Sequence, residues 1–567
     1  MSTRRQWLPA LVWLKAYNRR SFTEDLLASV IVAIMLIPQS LAYALLAGLP
    51  AEMGLYASIL PLIVYALLGT SRVLSVGPVA VMSLMTAAAL GSLGLSPDQY
   101  VVAAMTLALI AGALLTTLGV LKLGFVANFM SHPVVTGFIT ASALIIALSQ
   151  VQHLLGISSQ GYTLVELLPS LWESAGRINT LTALLAIPTL FWLFWSRKGV
   201  ARLLAGLGVS QTSAVMMGRV SPVVAVVITT LITWWWGLDS QGVATVGVVP
   251  AGLPHFTMPS FDPELLRLLL GPAVLIATIG FVESISVAQG LAAKRRERVD
   301  PDQELVGLGA ANIATSFFGG FPVAGGFSRS VVNFDAGAAT PAAGLFAALL
   351  MAIATLLFVP FLVYLPKATL AATIVAAVWS LVDFSILKHA WSYSKADFLA
   401  VFVTIVLTLI SGVEIGVASG VLVSLLVHLY KTSRPHVAVV GEVPGTQHFR
   451  NVSRHDVETY ESILSIRIDE SLYFANTRYL EDIIYSMISQ RPLLKHVILM
   501  CTAVNDVDMS ALESLQEMNK RLDEIGIKLH FSEVKGPVMD KLEKGHMLSK
   551  LSGNVYLSQH QAVEALK

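Results

Sequence analysis

The sequence has very little cysteine and very little charge. Cys501 is the single cysteine among 567 residues, which excludes an internal disulfide, and we expect it to be a small core residue. Only 13% of the residues are charged and 55% are hydrophobic, with a mean hydropathy of +0.71. Roughly the first three quarters of the chain is therefore incompatible with an ordinary soluble protein.

The few basic residues of this apolar region are concentrated in short segments between apolar stretches. They are Arg4, Arg5, Lys15, Arg19, Arg20, Arg197, Lys198, Arg202, Lys294, Arg295, Arg296 and Arg298. The positive-inside rule places such segments, and a C-terminus flanked by Lys431 and Arg434, in the cytoplasm. Because basic residues interrupt the N-terminal apolar stretch before the first long span, no cleavable signal peptide is predicted. We expect a multi-pass protein of the cell (inner or plasma) membrane with both termini cytoplasmic.

Hydropathy predicts fourteen transmembrane segments in two sets of seven, separated by a polar stretch at 239–263. The first set lies near 26–47, 52–69, 79–94, 99–121, 125–150, 180–196 and 203–238. The second set lies near 265–293, 303–320, 327–338, 340–359, 366–386, 396–412 and 414–431. An odd number of segments in each half places the halves in opposite orientation, so the predicted fold is an α-helical polytopic membrane protein with a 7+7 inverted repeat.

Two breaks rich in glycine and proline, at 75–80 and 321–329, precede the short third and tenth segments. These segments, of roughly 12–16 residues, are shorter than the ~20 residues that a membrane-spanning helix needs, so we interpret them as half-helices. Irregular backbone in a membrane must face protein or a water-filled cavity, and paired breaks in two halves indicate a transporter's binding site. Two helix N-termini, each with a partial charge of about +0.5, would favour an anion. The alternative is that each break only kinks a helix.

The character of the chain changes beyond Arg434, where strand and helix patterns alternate. Strands are predicted at 436–443, 463–470, 494–501, 527–534 and 554–558, and helices at 476–490, 510–526, 535–551 and 559–567. The division is thus a transmembrane domain at 1–435 and a small cytoplasmic α/β domain at 436–567. Its lack of clustered acid, base, metal-ligand or phosphate-binding residues argues against an enzyme, and no catalytic residue, metal, cofactor or nucleic-acid partner is predicted.

Ordered motifs along nearly the whole chain resemble those of the sulfate permease (SulP) family, which is similar to solute carrier family 26. The motifs are PQSLAYA at 38–44, GLYAS at 54–58, GTSR at 69–72, SVGPVA at 75–80, ESIS at 283–286, NI at 312–313 and FSRS at 327–330. The segments VNDVDMSAL at 504–512 and VKGP at 534–537 resemble the STAS domain of that family, which is related to anti-sigma-factor antagonists.

The resemblance implies a core domain (segments 1–4 and 8–11), a gate domain (segments 5–7 and 12–14), a homodimer and elevator-type alternating access. The expected function is secondary active transport of an oxyanion, foremost proton–sulfate symport. Bicarbonate or dicarboxylate uptake with protons or sodium, and chloride–bicarbonate exchange, are alternatives within transport. An uncoupled anion channel, or a membrane sensor signalling through the STAS domain, is an alternative of another class.

Several side chains are expected to join the half-helices in the binding pocket. Gln39 and Tyr43 lie four residues apart and share a helix face, where an amide and a phenol can hydrogen-bond an oxyanion. In the family, the matching positions line the central pocket together with those of four residues at the half-helix starts. These four are Val79, Ala80, Phe327 and Ser328.

Arg329 and Glu283 are the predicted charged members of the site. Burying an arginine at mid-membrane costs at least ~2.5–3.5 kcal/mol on insertion scales, so Arg329 needs a partner, which is a bound anion or else Asp335 or Glu283. An ionised Glu283 repels a divalent anion and a protonated one permits binding, which links proton and anion binding. Proton-coupled members resemble this chain in carrying glutamate here. Sodium coupling through hydroxyl groups stays open, the candidates being Thr278, Ser284 and Ser286.

Ser510 offers a regulatory hypothesis in the C-terminal domain. Related antagonists carry a phosphorylatable serine or threonine at this place, but a serine near a helix start also serves as an N-cap, and we favour the cap. Expected partners are the anion, the coupled ion, membrane lipid, a second copy of the chain and a cytoplasmic protein that binds the STAS domain.

Overall fold

The computed structural model describes residues 8–91, 93–125, 131–208, 214, 217–218, 221–248 and 252–567. Arg4, Arg5 and parts of the predicted segments at 79–94, 125–150 and 203–238 lie outside these residues. The chain forms two compact units, Met1–Ser424 and Leu425–Lys567.

The first unit is helical. Its helices up to the central linker are α1 (Ala10–Lys15), α2 (Arg19–Leu46), α3 (Ala51–Tyr56), α4 (Leu60–Leu68), α5 (Ala80–Gly91), α6 (Pro97–Val120), α7 (His132–Leu155), α8 (Leu164–Ser174), α9 (Thr180–Gly206) and α10 (Ser221–Trp236). Those that follow the linker are α11 (Pro263–Arg295), α12 (Pro301–Ser316), α13 (Phe327–Asp335), α14 (Ala342–Phe358), α15 (Lys367–Trp379), α16 (Ser385–Tyr393), α17 (Lys395–Ser411) and α18 (Val413–Ser433). Within the described residues, seven helical stretches are long and apolar enough to cross a membrane.

Local sequence explains where the long helices start. Asn18 caps α2 by accepting from the Ser21 N–H at 3.0 Å. Asp262 and Asp300 cap α11 and α12, and each is followed by a proline at the first helical position, where its missing N–H costs nothing.

Several predicted segments have different bounds in the structure, among them those at 52–69, 180–196 and 366–386. The segment at 52–69 is two helices, because Pro61 lies in the first turn of α4, where proline starts a helix rather than continuing one. The segment at 366–386 ends at Trp379, and α16 begins at Ser385 after Asp383 accepts from the Ser385 N–H at 2.9 Å. The segment at 180–196 extends to Gly206.

Small residues bring α6 and α12 together. A Cβ atom on Gly112 would lie 2.7 Å from the Gly309 carbonyl oxygen, and one on Gly119 would lie 2.8 Å from that of Asp302. This close approach of backbones is typical of helix pairs in membranes. It holds α6 firmly against the helix that precedes the second break.

The two breaks found in the sequence pair with each other as short strands. β1 (Val76–Gly77) is antiparallel to β2 (Ala324–Gly325), with Val76 opposite Gly325 and Gly77 opposite Ala324. The helices that follow, α5 and α13, have 12 and 9 residues, or about 18 and 14 Å. Neither can cross a hydrocarbon core of about 30 Å.

The second unit contains a six-stranded sheet in the order β4-β3-β5-β6-β7-β8. Its strands are β3 (Val437–Glu442), β4 (Phe449–Asn451), β5 (Ile463–Ile468), β6 (His496–Met500), β7 (Lys528–Ser532) and β8 (Val555–Tyr556). Its helices are α19 (Thr477–Ser489), α20 (Met509–Glu524), α21 (Gly536–Lys544), α22 (Met547–Lys550) and α23 (Gln559–Leu566). Strands β5 to β8 are parallel, and β3 is antiparallel to both of its neighbours.

The predicted strands and most of the predicted helices of this unit are confirmed. The single helix expected at 535–551 was wrong, because the chain turns at Gly545 and at His546, whose φ is 56°. The three-residue edge strand β4 was not predicted, since it is too short to show alternation. Cys501 is 3% exposed, which confirms it as a core residue.

Candidate functional site

Side chains of α13 hold the backbone of the first break. The Ser75 N–H donates to the Ser330 hydroxyl at 3.0 Å, and the Asn333 amide donates to the Val73 carbonyl at 3.0 Å. The Gly326 N–H donates to the Ser75 carbonyl at 3.0 Å. Several backbone groups that the break frees are thus bonded from inside the protein, as a membrane environment requires.

Asn312 and Ser284 hold the second break in the same manner. The Asn312 amide donates to the Val323 carbonyl and accepts from the Val323 N–H, both at 2.9 Å. The Ser284 hydroxyl accepts from the Gly325 N–H at 2.8 Å and donates to the Gly280 carbonyl at 2.5 Å. We predicted Ser284 only as a possible sodium ligand and gave Asn312 no role, since pairing across a break leaves no periodic signal in the sequence.

The other two hydroxyl groups considered for sodium bind their own helix. Thr278 donates to the Val274 carbonyl at 2.7 Å, and Ser286 donates to the Val282 carbonyl at 2.6 Å. Such bonds are the ordinary way in which Ser and Thr are satisfied in membrane helices.

All eight side chains predicted for transport line one small cavity between the breaks. Its lining residues are Gln39, Tyr43, Val79, Ala80, Val81, Glu283, Gly326, Phe327, Ser328, Arg329, Ala377, Val378 and Leu381. The cavity has a volume of about 40 Å³, and roughly 10–15 Å³ of such volume accommodates one water molecule. It therefore has room for a small anion or a few waters.

The lining residues differ in exposure. Tyr43, Val79 and Ala80 are buried, whereas Phe327 and Ser328 are exposed. The cavity is thus closed on the side of α2 and α5 and more accessible on the side of α13.

Arg329 is buried and only partly satisfied. Its side chain is 2% exposed, and its Nη1 atom donates to the Pro78 carbonyl at 2.6 Å. Its Nε and Nη2 atoms are buried and have no hydrogen-bond partner in the part of the chain that the structure describes. Among the described residues, no carboxylate lies within 4.0 Å of the guanidinium, so a direct ion pair with Glu283 or Asp335 is not formed. Buried N–H groups of a charged side chain are costly when unpaired, and an oxyanion is the ligand that matches them.

Two glycines make room for this guanidinium. A Cβ atom on Gly326 would lie 2.8 Å from Nη2 of Arg329, and one on Gly77 would lie 3.4 Å from the same atom. The first distance is a clash and the second is tight. In the sequence these glycines indicate only a break, and their role beside Arg329 was not predicted.

The positive charge at the cavity has a backbone contribution as well. Ala80 is the first residue of α5 and Phe327 the first of α13, and both line the cavity. Helix N-termini present unpaired N–H groups and a partial positive charge. Together with Arg329 they favour an anion.

Among the described residues that line this cavity, Glu283 is the single acidic side chain. Its Oε2 atom is buried and has no hydrogen-bond partner in the described part of the chain. A carboxylate is therefore placed at the same cavity as the guanidinium without being neutralised by direct contact, which makes its protonation state matter to any anion bound there.

Ser510 does not cap its helix, so that prediction was wrong. Asp508 is the N-cap of α20, and its Oδ1 atom accepts from the Ala511 N–H at 2.8 Å. Aspartate is an equally good cap, and Asp508 directly precedes the first helical residue, Met509, whereas Ser510 is the second residue of the helix. Ser510 is exposed in the first turn.

Comparisons with known proteins agree with this architecture. Residues 22–404 match the sulfate permease family and residues 454–562 match the STAS domain. Sulfate transporter 4.1, chloroplastic, of Arabidopsis thaliana is 34% identical over 98% of this chain and 82% of that protein. A probable sulfate transporter of Mycobacterium tuberculosis (strain CDC 1551 / Oshkosh) is 32% identical over 99% of this chain and 98% of that protein. The murine Solute Carrier 26 family member A9 anion transporter in the inward-facing state has a similar structure, with a TM-score of 0.88, 23% identity, and coverage of 100% of this chain and 95% of that one.

Proposed function

Because this chain belongs to the sulfate permease family, we propose that it is a secondary active transporter that moves sulfate across a membrane together with protons. The carrying observation is the buried Arg329, whose Nε and Nη2 atoms lack a partner at a cavity that two helix N-termini also line. Sulfate is the anion favoured, because a dianion gains from both sources of positive charge and because the similar proteins named above are sulfate transporters.

The proposed substrate site consists of Arg329 as the counter-charge, the N-termini of α5 and α13 as backbone donors, and Gln39, Tyr43 and Ser328 as polar side chains on the wall. A planar guanidinium donates two parallel hydrogen bonds to an oxyanion. Val79, Ala80 and Phe327 provide the apolar remainder of the wall, which excludes water around the ion.

Glu283 is the proposed proton-coupling residue. A carboxylate repels a dianion at the same cavity, so sulfate binds preferentially when Glu283 is protonated, and the proton binds preferentially when sulfate is present. This reciprocity is required by thermodynamic linkage. A proton gradient then drives sulfate uptake without any further component.

The finer architecture is part of the same proposal. We place both termini in the cytoplasm, a 7+7 inverted repeat at 1–435 and the STAS domain at 436–567. In this arrangement a core domain carrying α5 and α13 moves past a gate domain, as an elevator, in a homodimer within the cell membrane. The β1–β2 pairing supports it, because an elevator must carry its two breaks as one body. The STAS domain would bind a cytoplasmic protein, with Ser510 as a candidate phosphorylation site.

Radiolabelled sulfate uptake into proteoliposomes tests this function. Vesicles are given a proton gradient, a sodium gradient or neither, with bicarbonate, chloride, succinate and fumarate as competitors. We expect uptake to depend on the proton gradient and to be inhibited weakly by the competitors. Sodium-driven uptake, or stronger transport of bicarbonate or a dicarboxylate, would replace the proposal with one of those alternatives, and gradient-independent flux would indicate a channel.

The variant Glu283→Gln separates coupling from binding. It mimics the protonated carboxyl, so we expect sulfate exchange between two sulfate-loaded compartments to persist while proton-driven accumulation is lost. Accumulation that is unchanged in this variant would remove Glu283 from the coupling role.

A further inference from the structure

Residues of α2 and α15 line the small cavity around Arg329 described above, which we call the substrate cavity. The same two helices also line a second and larger cavity. It has a volume of about 670 Å³, and we call it the vestibule. Its walls come from α2, α3, α6, α7, α15 and the linker that precedes α11. Its lining includes Ala42, Glu52, His153, Lys367, Leu370 and Ile374. A cavity of this size is within the range of ligand-binding sites and is large enough for a hydrated anion.

The vestibule and the substrate cavity follow one another along α2 and α15. On α15, Lys367 and Ile374 line the vestibule, whereas Ala377 and Val378 line the substrate cavity. Lys367 and Ala377 are ten positions apart, which is about 15 Å along a helix. On α2 the substrate cavity comes first along the sequence, because Gln39 lines the substrate cavity and Leu45 lines the vestibule.

The floor of the vestibule is apolar. Ala42, Leu370 and Ile374 are 0%, 1% and 2% exposed. Ala42 is next to Tyr43 of the substrate cavity and Ile374 is three positions before Ala377, so buried apolar side chains line the vestibule where it approaches the substrate cavity. An apolar constriction of this kind is what an alternating-access protein needs at its closed side.

Of the described residues that line the vestibule, Lys367 is the one lysine or arginine. It is the first residue of α15, where the peptide dipoles add a partial positive charge. Its backbone N–H donates to the Ala244 carbonyl at 2.9 Å, which fixes the start of the helix against the linker. Among the described residues, no carboxylate lies within 4.0 Å of its ammonium group. The other titratable side chains that face the vestibule are those of Glu52, Tyr100 and His153.

We propose that the vestibule is the outer entrance of the transport path and that Lys367 attracts divalent oxyanions into it. This inference rests on the proposed function and goes beyond it by assigning a recruiting residue outside the substrate cavity. A lysine suits this task because its compact charge on a flexible stem attracts a hydrated anion without binding it rigidly. Recruitment of this kind raises the local anion concentration and falls with ionic strength.

Initial rates of sulfate uptake by intact cells that lack their own sulfate uptake test the inference. For Lys367→Gln we expect a KM raised about 3- to 5-fold at low ionic strength, approaching the wild-type value at high salt, with kcat unchanged. The reversal Lys367→Glu should raise KM further. An unchanged KM at low ionic strength, or a change in kcat alone, would overturn the proposal.

Arg177→Gln is the matched control. Arg177 is exposed and lies near the start of α9, which meets the end of α7 where the Asn179 N–H donates to the Leu155 carbonyl at 3.0 Å. It is therefore at the same end of the helical unit as the vestibule but is not one of the described residues that line it. We expect its KM to stay at the wild-type value, and an equal rise in both variants would show general surface charge instead of a recruiting site.

Chemical modification of a thiol at position 367 changes the charge there after the protein has folded, so it separates an effect of charge from an effect on folding. Burial raises the pKa of the native Cys501 thiol to about 12, so it is a poor target for thiol reagents. In Lys367→Cys, a membrane-impermeant methanethiosulfonate carrying a positive charge should restore the wild-type KM, and one carrying a negative charge should raise it. Equal effects of both reagents, or no reaction from outside, would overturn the proposal. Absence of proton-driven sulfate uptake in the wild type would instead contradict the proposed function itself.

Discussion

Arg329 at the start of α13 donates a hydrogen bond of 2.6 Å to the carbonyl of Pro78, which lies 251 positions earlier in the chain. The bond connects the short helix of one break to the backbone of the other. One N–H group of the guanidinium therefore fixes its position, while Nε and Nη2 have no hydrogen-bond partner among the described residues, and Arg329 lines the cavity beside both breaks. The same residue thus joins the two breaks and supplies their charge.

The space beside this guanidinium gives the first prediction. In Gly326→Ala, the new methyl group would lie 2.8 Å from Nη2 of Arg329 and must displace it. A displacement of about 1 Å can cost on the order of 100-fold in activity, so we expect sulfate transport to fall roughly 10- to 100-fold. Uptake kinetics at equal protein density measure it.

Gly290→Ala is the control for this substitution. Gly290 lies inside α11, and a Cβ atom there would meet nothing within 4 Å. The change should leave transport unaltered and stabilise the helix by up to about 1 kcal/mol. Equal activity of the two variants would argue that Arg329 does not need its present position.

Asn312 gives the second prediction, as the residue that positions the second break. Asn312→Leu leaves the Val323 N–H and carbonyl unpaired in the protein interior, each at a cost of about 1–3 kcal/mol. We expect a lower thermal stability of the purified protein together with a strong loss of transport. Asn312→Asp keeps the acceptor for the Val323 N–H but loses the donor, so its effects should be smaller.

Thr117→Val is the control for Asn312. Thr117 is an exposed residue of α6 whose hydroxyl donates to the Ala113 carbonyl of its own helix, its one partner among the described residues. This variant should behave like the wild type. If Asn312→Leu did so as well, the break would not depend on that amide.

How much of the site could be predicted from the sequence depends on the kind of signal. The four-residue spacing of Gln39 and Tyr43 predicts a shared helix face, and both residues do line the cavity. The pairing of β1 with β2 was not predicted, because strands of two residues show no alternation and their partners are about 250 positions apart. Long-range pairing of this kind is decided by the packing of the surrounding helices.

Helix caps show the same division between local and nonlocal information. The capping box of Thr163 and Glu166 before α8 is visible in the sequence, and its use would have found that helix. At α20, however, both Asp508 and Ser510 are good capping residues, and the choice between them depends on backbone geometry. The sequence alone did not resolve it.

The third prediction concerns pH and the buried His530 of the STAS domain. Its Nδ1 atom accepts from the Asn554 N–H at 3.0 Å, and its Nε2 atom lies 3.1 Å from Nδ1 of His496. Burial, followed by the charges of His496 and Lys528, lowers the pKa of His530 to about 4. The unfolded chain, with a histidine pKa of about 6.5, therefore binds the extra proton first as pH falls.

Because the unfolded state binds more protons in this window, stability should rise with pH between about 4 and 6.5 and be lost on acidification. We expect a loss of about 1–3 kcal/mol from this group, seen as a falling melting temperature of the full-length protein. His530→Asn, which retains an acceptor for the Asn554 N–H, should flatten the pH dependence over this range. An unaltered pH profile in that variant would assign the effect to other groups.

Equilibrium binding of radiolabelled sulfate to the purified full-length protein tests the central claim, that the buried Arg329 is the counter-charge of the transported anion. The account predicts saturable binding by the wild type, binding at least about tenfold weaker in Arg329→Gln, and wild-type affinity in Arg177→Gln, which loses the same charge at an exposed position. Wild-type sulfate affinity in a correctly folded Arg329→Gln protein would contradict it.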